Sequence, residues 1–183
     1  MPGCARTRSG MTKQYAVLGS PISHSKSPII HTAAFAARSV DAGYQAIEVP
    51  GNLAEFLSGQ GSGFSGFSIT MPLKLQALDF ADRADSLAIG TGSANTLVKT
   101  ESGWDAYNTD VFGIQKAISG LKIKTVSVLG TGATARSAIV AMQELDKQIS
   151  LWGRSANPLK QLSAEFDVHQ QLQLHKACEA DLV

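Results

Sequence analysis

The stretch KTVSVLGTGATARSAIVAM, residues 124–142, constrains the fold more than any other part of the chain. A strand-forming run leads into Gly130-Thr131-Gly132-Ala133-Thr134-Ala135, which fits G-x-G-x-x-A, and a pattern of helical period follows over 133–145. Glycines at such a turn let the backbone bend sharply and approach a pyrophosphate, whose charge is favoured by the free N–H groups of the helix start. The string alone is a weak signal. A strand at 148–152 and a helix at 157–166 supply the context that a dinucleotide-binding unit needs. Beyond that second strand, LWGRSANPLK offers Arg154 and Ser155 where NAD-binding folds usually carry an acidic residue for the ribose hydroxyls. A guanidinium and a hydroxyl suit a 2′-phosphate, so NADP(H) is the expected cofactor. The bland alternative is a glycine turn kept for packing beside a solvated arginine.

Upstream, predicted strands near 14–18, 44–49, 65–70 and 93–99 alternate with predicted helices near 27–38, 52–58, 72–79 and 109–119. The turn signal KTESG precedes WDAYN at 104–108, which is expected to return antiparallel to 93–99. The fold class is therefore α/β in two units, residues 12–108 and 109–183, connected by the helix at 109–119 and the segment SGLKIK. Residues 1–11 read as a disordered extension.

Composition narrows the partners. Hydrophobic residues make up 44% of the chain and charged residues 17%, which excludes wholesale disorder. The formal net charge is +1 and the basic residues are scattered, so neither nucleic acid nor an anionic membrane finds an electrostatic footprint, and a small molecule is the expected partner. Cys4 and Cys178 lie near opposite ends without a paired spacing, which argues against a disulfide framework or a zinc site and fits a reducing cytoplasm. No apolar run approaches the length of a membrane span, and no metal-ligand cluster is apparent.

Four short segments of the first unit carry chemistry-bearing residues. SPISHSKSPIIH, residues 20–31, crowds four serines and two histidines behind the apolar run YAVLG. His24 and His31 read as packing or hydrogen-bonding groups. In GFSITMPLK the strand ends at Thr70 and Pro72 suits the first turn of a helix, which places Lys74 at the strand's carboxyl end, where α/β folds do chemistry. Taken alone, Lys74 reads better as a lysine on an exposed helix face. Asn95 interrupts the apolar GSANTLV, and YNTD sets three capping-type residues before a helix, so that Asp110 has an N-cap reading.

Taken together, YAVLGSPISHSKSPIIH, GFSITMPLK, GSANTLV, YNTD and VLGTGATAR resemble the shikimate dehydrogenase family in order and spacing over residues 14–183. That resemblance implies a substrate-binding domain followed by a Rossmann-type NADP-binding domain, with the active site in the cleft between them. The implied activity is the NADPH-dependent, reversible reduction of 3-dehydroshikimate to shikimate in aromatic amino-acid biosynthesis. By the same carry-over Ser25 and Ser27 hold the substrate carboxylate, consistent with hydroxyl donors beside the free N–H groups of a helix starting near Pro28. Lys74 and Asp110 lie beside the reacting C3 oxygen, and Thr70 and Asn95 bind ring hydroxyls. The reaction needs a donor that delivers a proton and stabilises negative charge developing on the oxygen; Lys74 is assigned that role and Asp110 orients it. The phosphate turn at 130–135, with Arg154 and Ser155, is the implied nucleotide site.

Departures from the family's pattern refine this expectation. Ser68 stands where most members have Asn, Tyr107 where they have an acid, Gly153-Arg154-Ser155 where they have Asn-Arg-Thr, and Pro158 where they have a further arginine. A thinner phosphate clamp implies a weaker NADP preference. Readings as an NAD-dependent quinate/shikimate enzyme or as a non-catalytic shikimate sensor stay open, the retained glycine loop and Arg154 arguing against the latter. ACEADLV resembles the approach to a fourth strand of the nucleotide-binding sheet, so the resemblance implies an incomplete sheet and little dehydrogenase activity from the chain alone. A homodimer is left open.

Overall fold

A computed structural model describes residues 12–183; the extension expected at 1–11 lies outside the described residues. The chain runs β1 (Lys13–Gly19), α1 (Ser27–Ala37), β2 (Ala42–Glu48), α2 (Leu53–Ser58), β3 (Gly66–Ile69), α3 (Lys74–Phe80), β4 (Arg83–Ala84), α4 (Ser86–Thr91), β5 (Thr96–Thr100) and β6 (Gly103–Tyr107). After α5 (Asp110–Ala117) come β7 (Thr125–Leu129), α6 (Ala133–Gln143), β8 (Gln148–Trp152), α7 (Ala156–Phe166), β9 (His169–Gln170) and α8 (Leu174–Ala177). No helix among the described residues is long and apolar enough to cross a membrane.

The first sheet has the order β2-β1-β3-β5-β6-β4. Its β1 pairs in parallel with β2 and β3, whereas β5 is antiparallel to β3 and also to β6, the latter pairing as the turn signal at KTESG predicts. Alternate residues of the strands enter one core. Ala16 and Leu18, Phe67 and Ile69, Leu97, and Trp104 and Ala106 meet Leu53 and Leu57 of α2 and Ala77 of α3. On the opposite face, α1 buries none of its residues fully and contributes His31 and Phe35 to an aromatic group with Tyr15 and Tyr44.

The second sheet is parallel, in the order β7-β8-β9. Val126, Ser127 and Val128 are all buried, the pattern of a strand covered on both faces. Ile139 and Met142 of α6 and Leu159, Leu162 and Phe166 of α7 pack around it, and Val111 of α5 joins the same core. Leu182, in the segment ACEADLV, makes an isolated parallel bridge to Val126 on the edge of β7 away from β8.

Three local expectations need correction. Pro72 sits in a turn closed by the Leu73 N–H on the Thr70 carbonyl (2.9 Å), and the helix starts at Lys74. Residues 93–95 precede β5 rather than belonging to it. Helix α4 has no counterpart among the elements expected from sequence, although its signals are present: Asp85 accepts from the Ala88 N–H (2.7 Å) at its start, and Gly92 adopts φ +61° at its end.

Candidate functional site

The start of α3 at the carboxyl end of β3 delivers Lys74 to the interior, where it is 9% exposed. Its Nζ lies 2.5 Å from Asp110 Oδ2 at the start of α5. The reading as an exposed surface lysine is therefore excluded. Asp110 does not cap its helix; the N-cap position is Thr109, and the Asp110 N–H donates to Asn108 Oδ1 (3.0 Å). Asn95 Nδ2 donates to the other carboxylate oxygen of Asp110 (2.8 Å) and to Thr109 Oγ1 (2.9 Å). Asn95 is itself held by its backbone, its N–H on the Tyr107 carbonyl (3.0 Å) and its carbonyl under the Ile69 N–H (2.7 Å). Lys74, Asp110 and Asn95 thus come from two helices and the loop before β5 and meet in one hydrogen-bonded group.

Around this group lies a cavity of about 340 Å³ that gathers Ser25, Ser27, Ser68, Thr70, Lys74, Asn95 and Asp110. Helix α1 begins at Ser27, one residue before Pro28, with Lys26 in the cap position. Ser25 Oγ accepts the Ser27 N–H (3.3 Å), and both side chains are half-buried at the cavity wall. One further group is not anticipated by the sequence: the Tyr44 hydroxyl on β2 donates to Ser68 Oγ (2.7 Å). Burial pushes the Tyr44 phenol above its ordinary value, with its contacts to Ser68 and Ser27 pulling the other way. His31 stacks on Tyr44, ring centroids 4.2 Å apart and planes 2° from parallel, a packing role as the sequence suggested.

A second cleft, about 540 Å³, opens between the Thr70–Leu75 segment and the glycine turn, where Gly130, Gly132, Ala133, Thr134 and Ala135 line it. Gly130 has φ +139°, a conformation that disfavours a side chain. Gly132 occupies the N-cap of α6 with no side-chain cap, and a Cβ there would enter open space. These features fit a pyrophosphate cradle on an uncapped helix start of eleven residues. Thr131, Arg154 and Ser155 do not line the cleft; Arg154 and Ser155 are exposed at the end of β8, and Ser155 forms the N-cap position of α7. Thr70 and Lys74 are the residues that both cavities share.

Among the described residues, no group of three or more His, Cys, Asp or Glu is placed to hold a metal ion. Cys178 is a free, exposed thiol.

Residues 17–97 match the family model described as the shikimate dehydrogenase substrate binding domain. A shikimate dehydrogenase (NADP(+)) of Methanococcoides burtonii is 40% identical over 162 residues, covering 85% of this chain and 60% of the relative. A shikimate 5-dehydrogenase of Mycobacterium fortuitum superposes with a TM-score of 0.76 at 37% identity, over 92% of this chain and 68% of that one. The shikimate 5-dehydrogenase of Thermus thermophilus, solved in complex with NADP(H) and shikimate, gives 0.83 at 31% identity, over 93% and 67%. The chain spans about 60% of the length of the curated relatives it matches.

Proposed function

The chain belongs to the shikimate dehydrogenase family, and from that premise we propose that it serves the reversible, NADPH-dependent reduction of 3-dehydroshikimate to shikimate. The observation that carries this reading is the seam. Thr70 and Lys74 line the hydroxyl-rich cavity and the glycine-turn cleft at once, so a ring held in the first presents its reacting carbon towards the second. In this reading residues 12–108 form the substrate domain and 109–183 the nucleotide domain. Such a small-molecule enzyme works in the cytoplasm.

Ser25 and Ser27 donate to the substrate carboxylate, with Ser68 beside them, and Thr70, Asn95 and Asp110 take the ring hydroxyls. Two of the three Lys74 ammonium protons remain available once Asp110 has accepted one, enough to polarise a carbonyl oxygen and deliver a proton to it. Asp110 fixes the direction of the ammonium, and Asn95 occupies the second carboxylate oxygen so that Asp110 does not rotate away. NADPH, when bound at Gly130–Ala135, supplies the hydride. Arg154 and Ser155, exposed beyond β8, are read as the groups that meet a 2′-phosphate, and with Pro158 in place of a further arginine this thin clamp gives a modest preference for NADP over NAD.

Calorimetric titrations with shikimate, NADP⁺ and NAD⁺ test this reading. Saturable shikimate binding that weakens in Ser25→Ala, together with a preference for NADP⁺ that disappears in Arg154→Ala, is the expected result. A folded chain that takes up no shikimate contradicts it.

A further inference from the structure

Behind the Lys74–Asp110 pair lies a second polar group that the proposed chemistry does not use. Asn108, at the end of β6, is 1% exposed, and the residues around it, Thr91, Ser93 and Ser137, are fully buried. Its Nδ2 donates to Thr91 Oγ1 (2.8 Å), to the Ser93 carbonyl (3.0 Å) and to Ser137 Oγ (3.0 Å). Its Oδ1 accepts the Asp110 N–H (3.0 Å). Among the described residues, no buried side-chain polar atom is left without a partner, so this network is closed. A closed buried network holds its members in one arrangement, because breaking any contact strands a desolvated donor or acceptor.

The four residues come from places that matter. Thr91 ends α4 and Ser93 lies on the loop that leads from it to Asn95, whereas Ser137 lies one turn into α6 and donates to the carbonyl of Ala133, which lines the glycine-turn cleft. The same joint is sealed alongside by Arg136, which donates to the Thr91 carbonyl (3.3 Å) and would lie 2.9 Å from a Cβ at Gly92. One amide therefore touches the backbone of the acid that directs Lys74, the loop carrying Asn95, and the helix that opens at the nucleotide turn.

We propose that Asn108 is a positioning residue for Asp110, setting the register between the hydroxyl-binding group and helix α6 through its contact with Ser137. The proposal rests on the reading of Lys74, Asn95 and Asp110 as the ring-hydroxyl site. Loss of Asn108 leaves the carboxylate-binding serines untouched, because they lie on α1 and the loop before it. It should therefore weaken ligands that use ring hydroxyls and spare those that do not.

NMR titration of the 183-residue chain with shikimate and with cyclohex-1-ene-1-carboxylate, which keeps the carboxylate and lacks the hydroxyls, separates the possibilities. Asn108→Ala is expected to weaken shikimate about tenfold, the equivalent of one good hydrogen bond, and to leave the deoxy ligand within about twofold. Ser137→Ala keeps the contact to Asp110 and severs the tie to α6, so it should weaken shikimate about threefold with the deoxy ligand again unaffected. Should Asn108→Ala fail to fold, Ser137→Ala decides alone. Equal loss of both ligands, or loss of neither, overturns the positioning role while the parent's affinity for shikimate keeps the proposed function intact. A parent chain that binds no shikimate overturns the function and this inference together.

Discussion

The cavity at Asp110 and the cleft at Gly130 adjoin across Lys74 and Thr70, yet they are built by different means. The cavity is held by side chains bonded to side chains: Lys74 to Asp110, Asn95 to Asp110 and Thr109, Tyr44 to Ser68. The cleft is shaped by backbone, through a positive φ at Gly130 and an uncapped helix start at Gly132, while Arg154 is exposed and outside its lining. The first kind of site is sensitive to single polar substitutions and tolerant of small backbone changes; the second has the opposite sensitivity. The difference suits the proposed ligands, because a small polyol acid is recognised by its pattern of hydroxyls and a pyrophosphate by an array of N–H groups.

Substitutions that strike one site and spare the other test this contrast. Lys74→Ala removes a residue of both, and in a version extended to the length of its relatives turnover, measured as NADPH consumption with 3-dehydroshikimate, should fall by about 10²-fold or more, with a modest loss of shikimate affinity. Gly130→Val forces a β-branched residue to φ +139° and should cost about 1–3 kcal/mol in denaturant melts. In calorimetry it should abolish NADP⁺ binding while shikimate affinity holds, and a parallel loss of shikimate would break the contrast. Tyr44→Phe acts in the reverse sense: Ser68 loses its fixed orientation, and shikimate affinity should drop about threefold to tenfold with nucleotide affinity unchanged.

The smallest effect belongs to neither site. Asp181 accepts the N–H groups of Lys124 (2.8 Å) and Thr125 (2.9 Å) at the start of β7, and these bonds hold its carboxyl below the ordinary aspartate value. A lowered folded pKa means the contribution is complete above the unfolded aspartate pKa and is lost as pH falls through the folded one. The stability gap between the parent and Asp181→Asn in urea melts should therefore be full at neutral pH and close on acidification, with ligand affinities unaltered.

The cleft is the more legible of the two sites in the sequence. A strand, two glycines and a helix are local in the chain, so periodicity and turn chemistry place Gly130–Ala135 without knowledge of any distant contact. The cavity's residues are nameable by resemblance, and Lys74, Asn95 and Asp110 do meet, but their bonds run between elements 14 to 36 residues apart and carry no periodic signal. Tyr44 escapes notice because its aromatic ring fits an ordinary strand pattern, and nothing local shows that its hydroxyl reaches β3. Asn108 is visible only as one of three capping-type residues in YNTD; that it is buried against α6 depends on how the two sheets pack. Pro72 reads as helical because a proline suits the first turn of a helix as well as the turn before it. Arg154 and Ser155 are expected at the nucleotide, and the structure leaves them exposed beyond β8 and outside the cleft's lining.

A preformed cavity should respond to its ligand without help from the cleft. An NMR titration of the chain with shikimate in the absence of nucleotide is predicted to give saturable shifts at the amides of Ser25, Ser27, Ser68, Asn95 and Asp110. Gly130–Ala135 should stay silent until NADP⁺ is added. A dispersed, folded spectrum in which those five amides ignore shikimate would contradict the account.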